Sequence, residues 1–139
     1  MGSLPEWRQC QIKEAASKLI ENSVSGKQAV SLDQIINYNS WLCTTEREAK
    51  SQGVNPLDMD WGYVIYRPEK MPSYLIVYCD EVSLYIDWIK AHEIGHIVLG
   101  HMDGSCLTQF NANDEAECFA GELLALLGVI SEPPPSSKE

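Results

Sequence analysis

Two runs in the middle of the chain, WGYVIYR at residues 61–67 and YLIVYC at residues 74–79, constrain the fold most. Both are dense in aromatic and β-branched side chains, the residue types that suit a pleated surface. Only six residues separate them, and two of those, Pro68 and Pro72, cannot donate to a ladder. Two strands joined so closely form an antiparallel hairpin. Such a pair is marginal alone and has to bury a face against other elements. The rest of the chain must therefore supply helices to cover it.

Helical spacing is present on both sides of the hairpin. Residues 6–21 follow Pro5 and repeat Trp7, Ile12, Ala15, Ala16, Leu19 and Ile20 with helical periodicity. Ser31 followed by Gln34 reads as a capping box in front of Leu32, Ile35 and Ile36. Residues 37–60 read as loops with at most one short strand or helix. Residues 84–99 form a long apolar helix, with Ser83 as candidate cap and Gly100 as terminator. After a loop, Asn113 or Asp114 caps a last helix to about Leu127, stopped by Gly128. The order predicts a single α+β domain over residues 1–130, a small antiparallel or mixed sheet packed against helices. The proline-rich SEPPPSSKE at residues 131–139 reads as a mobile tail.

Twenty acids against ten bases give a formal net charge of −10. That field repels phosphate backbones, so direct nucleic-acid binding is not expected. No apolar run is long enough to span a bilayer, and the first residues lack the apolar core of a secretion signal. Five cysteines, an odd and widely spaced set, fit a reducing cytoplasmic compartment.

All three histidines fall within WIKAHEIGHIVLGH, residues 88–101. His92 and His96 stand one helical turn apart on the same face, so both imidazoles can reach one zinc ion. Glu93, one position round the helix, is placed to act as general base on a water there. The plainer alternative is a set of core histidines, but an unpaired imidazole pair among Ile89, Ile94, Ile97 and Leu99 would be costly. Gly95 leaves room for close approach of backbone or substrate.

A catalytic zinc takes three protein ligands. His101 is out of register for a longer zinc motif and lies past the helix end, which points to the rim or to solvent. The last helix offers Glu115 and Glu117, on opposite sides of its apolar stripe, so only one can face the ion. Glu115 is preferred, with Glu117 as rival. Asn113 shares the Glu117 side and offers only a weak carbonyl donor. An acid left over is suited to fixing a ligand histidine's tautomer. Cys106 is a weak further candidate. A tyrosine of the strands is a candidate oxyanion donor, and an exposed strand edge is a candidate platform for an extended peptide. Asp58, Asp60, Asp80 and Glu81 lack the spacing of a calcium loop.

HEIGHIVLGH followed by DEAECFAGELL resembles the ImmA/IrrE family of HExxH metallopeptidases. The resemblance is strongest over residues 74–124. It implies a minimal zincin-like domain in which His92 and His96 hold zinc and Glu93 is the catalytic acid–base. Glu115, Ala116, Phe119, Ala120, Leu123 and Leu124 match the second-helix signature. The chain departs from that signature at Asn113, where relatives often carry an acid, and at Ala125-Leu126, where they often carry Met-Pro. The resemblance further implies cleavage of a peptide bond in a regulatory protein, such as a helix-turn-helix repressor of a mobile element or stress-response system. The alternative is an anti-repressor module that binds such a partner without cutting it.

Overall fold

The hairpin forms, and a third strand completes its sheet. The computed structural model describes residues 4–23, 31–53, 61–69, 73–102 and 110–135. β2 (Gly62–Tyr66) and β3 (Tyr74–Tyr78) pair antiparallel, with Val64 opposite Ile76. β1 (Leu42–Thr45) pairs parallel to the other side of β3, so the order is β1-β3-β2 and the sheet is mixed. β3 is thus bonded on both sides, which explains why Ile76 and Val77 are fully buried and why its sequence is apolar without alternation. Among the described residues β1 and β2 are the edge strands, so of the two strands read from sequence β2 is the one placed to offer an edge to a peptide.

Five helices lie among the described residues: α1 (Glu6–Asn22), α2 (Leu32–Tyr38), α3 (Glu46–Ser51), α4 (Ser83–Val98) and α5 (Ala112–Leu127); α2, α3 and α4 pack on the sheet. The segment 37–60 therefore carries both a strand and a helix, more than its loop-like composition suggested. The α2 start has the expected capping box, with Ser31 Oγ accepting from the Gln34 amide and Gln34 Oε1 accepting from the Ser31 amide. The cap of α5 is Asn111, not Asn113 or Asp114; its Oδ1 accepts from both of their amides. Ser83 is the first residue of α4 rather than its cap.

α4 is the axis of the molecule. It packs on β2 and β3 with one side and on α5 with another, while α1 closes over α5. The core runs through these contacts, from Ile12 and Ala16 through Phe119 and Leu123 to Ile94 and Ile76. Each large apolar side chain fully buried there contributes about 1.5–3 kcal/mol. Among the described residues, no helix is long and apolar enough to cross a membrane. Residues 131–135, read from sequence as part of a mobile tail, are tied back onto the molecule. Ser131 Oγ accepts from the Trp88 amide and donates to the Leu84 carbonyl, and the Trp61 indole donates to the Pro135 carbonyl.

Candidate metal centre

Local sequence sets the position of each histidine. α4 runs without interruption through residues 92–96, so both rings emerge on one face. Their Nε2 atoms are 3.2 Å apart. Two nitrogens at that separation subtend about 100° at an ion about 2.05 Å from each, close to the tetrahedral angle. Glu93 is 6 % exposed, and lines the same cleft of about 380 Å³ as His92 and His96. Its stem lies against the start of β2. A side chain at Gly62 would have its Cβ 2.5 Å from Ile89 Cγ2 and 3.4 Å from Glu93 Cγ, so the glycine lets α4 approach the strand. Gly62 was not singled out from sequence.

Gly95 works in the same way on the opposite side of α4. A Cβ there would sit 3.2 Å from Phe119 Cβ and 3.3 Å from Ala116 Cα of α5. The close approach it allows is that of a helix, and it brings the first turns of α5 to the histidines. Asn113 and Glu117, both solvent-exposed, line the cleft with His92 and His96. The Asn113 side chain lies beside both rings and works against the lowering of their pKa values.

Glu115 lies on the other side of the α5 stripe, as the helical geometry required, and faces away from the cleft. It is fully buried, with Oε2 2.5 Å from Arg8 Nε of α1 and Oε1 2.8 Å from His101 Nε2. Burial pushes its pKa up, but the hydrogen bonds and charges of Arg8 and His101 outweigh this and hold the carboxyl below its usual range. Of the two acids weighed as ligands, Glu117 therefore shares the cleft and Glu115 has both oxygens engaged elsewhere.

His101 is neither at the rim nor exposed. Its side chain is 6 % exposed, and its Nδ1 is 2.9 Å from His96 Nδ1. The cause is the helix end. Gly100 takes φ +77, its amide donates to the Ile97 carbonyl, and the His101 amide donates to the His96 carbonyl. This is a Schellman motif, which brings the side chain of the second residue past the cap onto that of the third residue before it. Those two residues are His101 and His96. Gly100 as terminator was therefore the signal for the contact. Arg8 carried no such signal, because its partner is 107 positions away.

Burial pushes the His96 ring down to about 4, helped by the neighbouring rings of His92 and His101; burial also lowers His92. Both rings are therefore neutral at neutral pH, the form that binds a metal. Among the described residues, no group of three or more His, Cys, Asp or Glu side chains is arranged to hold a metal ion. The donor set that fits a divalent cation is narrower: two imidazole nitrogens at the right separation, and the neutral carboxamide of Asn113 beside both.

The remaining candidates lie elsewhere. Tyr63 is the one tyrosine lining the cleft, but strand alternation turns its side chain to the face opposite Gly62 and Val64. Burial and then the charge of Glu46 raise its pKa. None of the four described cysteines is in a disulfide bond, and burial pushes the Cys43 thiol up to about 11, so it is no thiolate ligand. Cys106, Asp58 and Asp60 lie outside the described residues. Asp80 faces Arg47 at 3.7 Å and Glu81 accepts from the Cys79 thiol. No family model, curated protein or solved structure matches this chain.

Proposed function

We propose that the chain is a zinc-dependent peptidase that hydrolyses a peptide bond in a specific regulatory protein. The observation that carries this is the convergence of His92 Nε2 and His96 Nε2 to 3.2 Å in a cleft that Glu93 also lines. The resemblance to ImmA/IrrE metallopeptidases supports the same reading and suggests a helix-turn-helix repressor as substrate. His92, His96 and the Asn113 carboxamide would hold the ion, and Glu117 lines the same cleft.

Zinc held there supplies Lewis acidity, which polarises a carbonyl and makes water more acidic. The chain's own residues do the rest. The buried Glu93 takes the proton of the attacking water as its oxygen bonds to the carbonyl carbon. When the C–N bond breaks, Glu93 passes that proton to the departing amine nitrogen. Trp61, Trp88 and Met102 wall the cleft and keep bulk water from the reacting groups.

A second reading, a module that binds its partner without cutting it, is favoured by one feature: the third donor is a neutral amide where an acid would hold zinc more firmly. One variant separates the two. Glu93→Gln keeps the ring geometry and should keep zinc content while lowering cleavage of the partner by about 10²–10⁴-fold. Equal relief of the partner by both proteins, with the partner intact on a gel, would sink the hydrolytic reading.

A further inference from the structure

The row of contacts behind the two front histidines has a direction. Arg8 Nε donates to Glu115 Oε2, and Glu115 Oε1 lies 2.8 Å from His101 Nε2. An ionised carboxylate only accepts, so His101 Nε2 must carry a hydrogen. A neutral His101 then has a bare Nδ1, which accepts from the nitrogen 2.9 Å away, His96 Nδ1. With its hydrogen on Nδ1, His96 is left with a lone pair on Nε2, the atom facing His92 Nε2.

We propose that Arg8, Glu115 and His101 are positioning residues that set the tautomer of His96, so that its Nε2 is held ready for a divalent cation. This rests on the metallopeptidase reading and assigns Glu115 a part in it other than ligand. Each member has a distinct task. Glu115 selects the Nε2–H form of His101. His101 selects the Nδ1–H form of His96 and fixes the plane of its ring. Arg8 supplies the positive charge that balances Glu115 where both side chains are almost wholly buried. That balance decides the direction. Were His101 to become an imidazolium, the buried group would hold two cations against one anion, which is costly away from water. It would also donate from Nδ1, forcing the hydrogen of His96 onto Nε2 and blocking the metal position.

The arrangement differs from the usual one, in which a carboxylate or carbonyl contacts the ligand histidine directly. Here a second imidazole is interposed, carried by the residue that the Schellman turn folds onto His96. The carboxylate comes from α5 and its counter-charge from α1, so three helices jointly orient one ring.

The test begins without metal. Long-range proton–nitrogen correlation spectra of the apo protein at neutral pH should show His96 protonated on Nδ1 only and His101 on Nε2 only. His96 protonated on Nε2 in the wild type would overturn the proposal. Two variants follow, each checked for native circular dichroism. His101→Leu should release His96 from a single tautomer and weaken zinc binding, measured against a chromophoric chelator, by about 10–100-fold. His101→Gln presents a carbonyl to His96 and an amide N–H to Glu115, and should retain most of the affinity. A folded His101→Leu that binds zinc like the wild type would also overturn the proposal. If His101→Leu does not fold, the wild-type spectrum and His101→Gln decide. The expected tautomers in a protein that takes up no zinc would uphold this chain of contacts and sink the peptidase reading instead.

Discussion

Asn113 is the residue on which the strength of the site turns. It lines the cleft beside both front rings, where a carboxylate would bring a full negative charge to a dication held by them. Asn113→Asp changes one atom and adds that charge. Zinc affinity in a chelator competition should rise by at least about tenfold, one factor of ten per about 1.4 kcal/mol; no gain would show that this side chain does not reach the ion. The histidines carry a second consequence, in pH. Burial holds His96 down at about 4 and lowers His92, whereas the unfolded chain takes up protons on histidine from about pH 6.5 downward. Between those values the unfolded state binds more protons, so stability falls as pH is lowered through that window. Glu115 adds to the loss at the acid end, because its folded carboxyl is held below the usual range. Thermal melts of the metal-free protein should show Tm nearly flat above pH 7 and declining from about 6.5 toward 4. A Tm that rises on acidification would contradict the burial of these rings.

At the scale of the element, the two helices that carry the site are set by how closely they can lie. Gly95 of α4 meets the Cα of Ala116 and the ring of Phe119, neither of which is a flexible end able to move aside. Gly95→Ala should gain about 1 kcal/mol in helix propensity and lose about 1–3 kcal/mol to overpacking. We expect a net loss near 1 kcal/mol in urea unfolding, with weaker zinc binding as Asn113 is pushed outward; a stabilised variant would contradict it. Much of this arrangement was legible from sequence. The hairpin, the long helix ending at Gly100, the capping box at Ser31 and the stop at Gly128 were all written in local pattern. β1 was not, because LCTT is short, half-buried and paired only through the distant β3. In the site, the pair four residues apart followed from helical period alone. The division of labour between Glu115 and Glu117 did not, since period places them on opposite sides without saying which side faces α4. Arg8, arriving from α1, and His101, folded back past the end of α4, decide that.

At the scale of the molecule, the last described segment matters most. Pro133, Pro134 and Pro135 form part of the cleft wall beside His92, Glu93 and His96. They are held by the Trp61 indole at one end and by Ser131 and Glu132 on the first turn of α4 at the other. Prolines lose little freedom on seating there, which favours the docked state. Removing residues 131–139 should leave the core intact, since the buried cluster does not include them. It should let a chelator strip zinc several-fold faster than from the full chain; unchanged stripping would show that the segment does not limit access.

Because this segment is attached a few residues after α5, it meets the cleft at an effective concentration on the order of millimolar. Short peptides added from solution compete with a rival that never diffuses away. For the proposed peptidase, assays built on them would understate its activity, and a protein substrate would need a foothold elsewhere on the surface to win the exchange.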